Sequence, residues 1–259
     1  MRKRYLAPSV KKAFDILRII SSSQEGMGLN EIASKLNIPK STAHGIISVL
    51  KEVGALTRDP FTRKYELGLT LFELGRRLYT QMDIREICRP VMEELMEKVQ
   101  ETVFFGALNG DRRSILVLDV VECEHDFKIT SPVGSTLPLF AAAPGKALLS
   151  IMDKDEALEI IKEKGLPKYT EESITDTDRF IEAIEDVHAA GFAVDYEEYI
   201  SGVRAVAVPI SGGKKCPATI YVVGFKARLN QEKMDVLKKE IIEAGRRINR
   251  KVKNKLHIF

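Results

Sequence analysis

An α+β fold in two parts is predicted: a small winged helix-turn-helix at the N-terminus, then a linker helix leading to a larger domain of mixed strands and helices. Three observations point there. Apolar residues recur at three- and four-residue spacing through the first fifty positions, a hairpin pattern follows, and from Thr102 the period shifts towards two. Charge divides in step with this pattern. Residues 1–80 carry 14 Lys and Arg against 7 Asp and Glu, whereas the remainder carries 26 against 30, within an overall charge of +3. A basic small module beside a mildly acidic larger one implies that the first meets a polyanion while the second does other work.

At 259 residues and 44% hydrophobic content, the chain is long enough for two domains of ordinary size. No apolar run approaches the ~18 to 20 residues that span a bilayer, and the start, MRKRYLAPSVKK, is basic without an apolar signal core. A cytoplasmic location without membrane attachment is expected. Cys88, Cys123 and Cys216 are odd in number and scattered, which fits free thiols rather than a disulfide framework.

The first helix is predicted from Ser9, its N-cap, through Val10, Ala13, Phe14, Leu17 and Ile20 to the serines at 21–23. After Glu25-Gly26-Met27-Gly28, Asn30 is expected to cap a second helix that turns Ile32, Ala33 and Leu36 inward. Pro39 suits the first turn of a third helix, where a missing N–H has no intrahelical partner, and Gly54 suits its left-handed end. Ile46, Ile47, Leu50 and Val53 form the third helix's apolar stripe. The stretch ALTRDPFTRKYEL then reads as two short strands about Asp59-Pro60.

The other side of the third helix carries Ser41, Thr42, His44, Gly45 and Ser48, small and free of acids. In a helix-turn-helix that side enters the major groove, where bulky or acidic side chains would obstruct base edges and phosphates. Hydroxyls and imidazole exchange hydrogen bonds with bases, and Ser41 and Thr42 near the helix N-terminus also suit phosphate. Lys40 and Lys51 flank this face as phosphate anchors. Arg58, Arg63 and Lys64 supply a basic wing, and Arg2, Lys3 and Arg4 an arm for an adjacent groove. Double-stranded DNA is the expected partner.

The stretches NEIASKLNIPKSTAHGII, RKYELGLTLFELG, LPLFAAAPGKALLS and AAGFAVDYEEYISGVRAVAVPI, in this order, make the chain resemble the IclR family of transcription regulators over nearly its whole length. The resemblance implies a winged helix-turn-helix (1–70), a linker helix (71–84) and a GAF-like effector domain (85–259), working as a homo-oligomer, dimer or tetramer. It further implies an effector pocket at Phe127, Ala143, Pro144, Asp195, Val203, Ala205, Tyr221 and Val223. The family usually has Arg where this chain has Gly45, which removes one expected DNA contact. It usually has a small hydroxyl residue followed by Ala before the Gly-Lys pair, where this chain has Ala141-Ala142-Ala143-Pro144.

In the linker, Leu71, Phe72, Leu74, Leu78 and Tyr79 continue a helix suited to transmitting motion or sealing a dimer. A further helix is expected over Ile84–Val99 with a kink or break at Pro90. Strands are expected at TVFFGALNG, RRSILVLDVVE, FKITSPVG, FAVDYEE, RAVAVPI and PATIYVVGF, and helices over Lys146–Ile151, Lys154–Lys164, Asp178–Ala190 and Gln231–Lys253. Strands and helices that do not simply alternate make an α+β domain. At the resembling site, a loop entering a helix at Pro144-Gly145-Lys146 offers N–H groups to a carboxylate, Asp195 accepts from a ligand hydroxyl, and Tyr221 does either. With an apolar remainder, the expected effector is a small organic acid. Gly202 is read as a turn residue and Glu197 with Arg204 as an ion pair; Val203, Ala205 and Val223 also fit ordinary core, and Asp195 a turn cap.

Enzymatic chemistry is not expected. FAAAPGKA lacks the earlier Gly and later hydroxyl of a phosphate loop, having Phe140 and Ala147 instead, and the Ser-x-x-Lys at Ser9–Lys12 has no companion motif. An enzyme acting on a small organic acid would need a nucleophile or acid/base pair near Asp195. A metal or redox sensor built on Cys123 and His125 is the other alternative; it would need further ligands such as Cys216. No cofactor is expected. His188 and His257 show no evident partner.

Overall fold

A computed structural model describes residues 7–80, 83–211 and 217–256. By internal contacts the chain divides into Met1–Met82 and Asp83–Phe259. No helix among the described residues is long and apolar enough to cross a membrane. Arg2, Lys3, Arg4, Cys216 and His257 lie outside the described residues.

The first unit comprises α1 (Pro8–Ser21), α2 (Leu29–Lys35), α3 (Lys40–Glu52), β1 (Leu56–Arg58), β2 (Tyr65–Leu67) and α4 (Leu69–Thr80). Ile16, Ile20, Ile32, Ile47, Leu50 and Tyr65 form its core. Helix starts differ slightly from the predicted ones. Pro8, pre-set for helix, opens α1 and leaves Ser9 inside it, while Gly28 rather than Asn30 is the N-cap of α2. Pro39 is the N-cap of α3, its carbonyl accepting from Ala43 N–H at 3.0 Å. Val53 is 54% exposed, and Ala43 takes its expected place because 43, 47 and 50 align on one helical stripe. Gly54 ends the helix at φ 72°. The antiparallel β1 and β2 pair Leu56 with Leu67 and Arg58 with Tyr65, and Met27 bridges to Tyr65.

The second unit comprises α5 (Asp83–Val99), β3 (Thr102–Leu108), β4 (Ser114–Val121), β5 (Thr136–Pro138), α6 (Ala142–Leu149), α7 (Lys154–Lys164), α8 (Thr177–Ala190), β6 (Ala193–Tyr196), β7 (Val203–Ile210), β8 (Ala218–Phe225) and α9 (Gln231–Leu256). Its antiparallel sheet runs β5-β4-β3-β8-β7-β6. Alternation sorts the strands into two cores. Phe105, Val206, Val208, Ile220 and Val222 pack against α5 and α9, while Phe104, Ala205, Ala207 and Tyr221 pack against α6.

Three expectations need correction here. Helix α5 continues through Pro90, because Pro90 sits on the exposed side while Cys88, Val91, Met92 and Leu95 hold the other side in the core. Phe127–Gly134 is not a strand: Pro132 has no N–H to donate, Gly134 turns at φ 91° and donates to the Val117 carbonyl, and the ladder with β4 runs over Thr136–Pro138. Helix α6 starts at Ala142, before the expected Lys146. It packs so closely that a Cβ on Gly145 would lie 1.6 Å from the Leu139 carbonyl oxygen.

A bulge between β3 and β4 leaves Leu118 unpaired and turns Asp119 onto the α5 side, where Arg85 and Arg89 meet it at 3.1 and 2.9 Å.

Candidate functional site

Two surfaces answer to the predicted residues, one in each unit. On α3, Lys40, Ser41, His44, Gly45, Ser48 and Lys51 are exposed and Thr42 is half-buried. No acidic side chain lies between Lys40 and Lys51. A Cβ on Gly45 would meet nothing within 4 Å. This face is therefore open, small and uncharged between two lysines, a surface that DNA can approach without a like charge in the way.

The hairpin turn is stiffened by Asp59, whose carboxylate accepts from Phe61 N–H at 2.9 Å and from the N–H and hydroxyl of Thr62 at 2.6 and 2.9 Å. Those bonds hold its carboxyl below the usual carboxylate range. Arg58 donates through Nε to the Arg63 carbonyl at 3.0 Å and lies 5.5 Å from the centre of the Tyr65 ring. Arg63 is exposed with left-handed backbone at φ 59°, whereas Lys64 pairs with Glu25 at 3.0 Å, so part of its charge is neutralised locally. Phe61, at the turn's apex and 92% exposed, was not among the expected site residues. Its only signal in sequence is an aromatic inside a basic turn.

In the second unit, strand pairing sets Asp195 beside Ala205 and Ala205 beside Val223, in a row across β6, β7 and β8. The next row runs Ala193, Ala207, Tyr221, Phe104. Ala143 and Ala147 of α6 pack over the same face, and Tyr221 stacks on Phe104 with ring centres 5.0 Å apart. Val203 lies buried at the start of β7 on this side, and Pro144 is buried in the first turn of α6. Phe127 is 83% exposed, and its carbonyl accepts from Arg228.

The polar end of this cluster is buried. Asp195 accepts the Glu198 N–H at 2.6 Å, closing a turn, and burial still pushes its carboxyl up to about 7. Lys146, only 5% exposed, pairs with Glu198 at 2.6 Å. Lys146 was expected only as part of the loop that offers backbone N–H groups, without its ion pair with Glu198. Two non-glycine residues with left-handed backbone flank the cluster, Ala142 (φ 64°) and Glu197 (φ 72°). Glu197 pairs with Lys226 at 2.6 Å and accepts from Gly202 N–H, rather than pairing with Arg204 as expected. Arg204 instead donates to the Leu229 carbonyl and lies over the Tyr196 ring. Gly202 supplies the turn at φ 79°.

Cys123 is buried with its sulfur 3.6 Å from the Thr102 hydroxyl, and it lies with His125 beyond the end of β4. Among the described residues, no group of three His, Cys, Asp or Glu is placed to hold a metal. His188, expected to lack a partner, has Nδ1 2.7 Å from the Ser150 carbonyl. It lines a separate cavity of about 300 Å³ with Leu149, Ala157, Ile161 and Ile184, which shares no residue with the Asp195 cluster.

These two surfaces match known families in the same order. The IclR helix-turn-helix domain matches residues 9–60, and the bacterial transcriptional regulator IclR C-terminal domain matches residues 77–250. The chain belongs to the IclR family of transcriptional regulators. It is 30% identical to the HTH-type transcriptional regulator KipR of Bacillus subtilis, across 86% of this chain and 89% of KipR. The crystal structure of Thermotoga maritima IclR superposes with a TM-score of 0.68 at 28% identity, covering 95% of this chain and 98% of that one. An IclR homolog of Microbacterium hydrocarbonoxydans, complexed with 4-hydroxybenzoate, shares the fold at 21% identity and a TM-score of 0.77, covering 95% and 99% of the two chains. In this IclR-family regulator the helix-turn-helix is thus the DNA-binding part, and α3 is its second helix.

Proposed function

We propose that α3 enters the major groove of an operator half-site with Ser41, Thr42, His44, Gly45 and Ser48 towards the bases. Lys40, Lys51, Arg58, Arg63 and Lys64 hold the phosphates. The observation that carries this reading is the exposed, acid-free face of α3. A homo-oligomer presents two such helices as a dimer and four as a tetramer, and the exposed Leu69, Phe72 and Leu74 of α4 supply apolar surface for its assembly. The protein acts in the cytoplasm as a binding protein, without catalysis.

The effector is a small organic acid held at Ala143, Pro144, Asp195, Val203, Ala205, Tyr221 and Val223. Ala143, Ala205 and Tyr221 give an apolar lining suited to a carbon skeleton, and Asp195 with Lys146 and Glu198 offers polar partners at one end. The 4-hydroxybenzoate bound by the Microbacterium homolog is a compound of this class. Effector binding shifts operator affinity by favouring one spacing of the two helix-turn-helix units.

The test is operator selection from random duplexes with the full chain, followed by affinity measurement with and without a panel of small aliphatic and aromatic carboxylates. A sequence-specific complex whose affinity one acid changes at least fivefold is expected. Binding without sequence preference, or turnover of the acid, would contradict the reading.

A further inference from the structure

The wing ends in an apolar side chain that the described residues of the first unit leave uncovered. Phe61 is 92% exposed at the apex of the connection between Arg58 and Tyr65, the last pair of the hairpin ladder. Its backbone is fixed. Asp59 accepts the Phe61 and Thr62 N–H groups, Arg63 N–H donates to the Asp59 carbonyl at 3.0 Å, and Asp59 N–H donates to the Lys64 carbonyl at 2.9 Å. A large ring displayed on a rigid turn gains from burial only when something outside the unit covers it.

The turn's charge says what that is. Exposed Arg58 and Arg63 flank Phe61 along the hairpin, and the one carboxylate within the turn, Asp59, is occupied by three donors. Such a rim repels a basic partner and favours a polyanion. Resting on the DNA-binding reading above, the geometry points to Phe61 as an apolar wedge that enters the minor groove beside the half-site. Its ring lies against deoxyribose and the base edges of a flexible pyrimidine–purine step, while Arg58 and Arg63 hold the flanking phosphates. The wing then reads deformability, and α3 reads base edges.

The experiment compares the full-length parent with Phe61→Ala, Phe61→Leu and Arg63→Ala on a selected operator, as a function of salt. A 2-aminopurine placed at the flanking step reports unstacking. Because the ring is exposed, the melting temperature of Phe61→Ala should match the parent's. Its affinity should fall roughly 5- to 20-fold with the salt slope unchanged, since no phosphate contact is lost. Phe61→Leu should recover most of the affinity, and the 2-aminopurine signal should rise with the parent and stay flat with Phe61→Ala. Equal affinity and equal 2-aminopurine response for the parent and Phe61→Ala would overturn the inference, as would a loss explained by a changed oligomeric state in sedimentation. A parent that binds no DNA defeats the underlying reading instead, so the two failures are distinguishable.

Discussion

Helices α3 and α6 each carry a glycine within the helix, and the two glycines answer to opposite demands. A Cβ on Gly45 would stand in open space, whereas one on Gly145 would collide with the Leu139 carbonyl oxygen. Glycine in a helix costs about 1 kcal/mol relative to alanine. In α6 that cost is offset by close packing inside the molecule. In α3 a Cβ would meet nothing among the described residues within 4 Å, and under the proposed reading the missing side chain leaves room for DNA. The same contrast runs through the neighbours: Ser41 and Ser48 are exposed, while Ala143 and Ala147 are fully buried.

The contrast is broken most severely at Gly145. Gly145→Ala should destabilise the second unit by about 3 kcal/mol or more, lowering its melting temperature by roughly 6–12 °C in a calorimetric scan. An unchanged scan would show that Leu139 and α6 separate easily.

Asp195 sharpens it next. An unfolded aspartate loses its proton near pH 3.8, whereas the buried one holds it up to about 7. Between those values the folded state binds more protons, so this group's contribution to stability falls as pH rises from about 4 to about 7 and is level above. Asp195→Asn keeps an acceptor for the Glu198 N–H and removes that slope. The variant should therefore gain on the parent across this window in denaturant titrations; parallel stability–pH curves would contradict the assignment.

On the exposed side, Arg63→Ala should weaken binding to all DNA sequences and reduce the salt slope by about 1, while Ser41→Ala changes sequence preference more than slope. Fluorescence anisotropy at several salt concentrations measures both. Gly45→Ala is the smallest expected effect: a gain of about 0.5–1 kcal/mol in stability of the first unit, with altered preference in operator selection. A loss of stability would mean that α3 is more tightly packed than its open Cβ position indicates.

How far the chain was legible follows from the same packing. The first unit is local: helical spacing, Gly54 and the Asp59-Pro60 turn sit within a few residues of what they determine, and its elements were recognised with errors only at the helix starts. The second unit depends on distant partners. Lys146 pairs with Glu198, and Glu197 chooses Lys226 over the nearer Arg204, choices made by strand register rather than sequence distance. Pro90 looked like a break because its local cost is visible in sequence, whereas the core that holds α5 together is not. On α3 the exposure of the polar face follows from helical spacing alone, since the apolar stripe at Ala43, Ile47 and Leu50 takes the buried side. The buried polar end at Asp195 needed the folded sheet to assemble it, and Phe127 is exposed on a segment that forms no strand.

Hydrogen–deuterium exchange on the full chain, free and with a selected operator duplex, tests the central claim most directly. Residues 40–51 and 58–64 should gain protection on binding, with the Asp195 cluster unchanged until an acid is added. Protection confined to other segments, with α3 exchanging as in the free protein, would contradict the account.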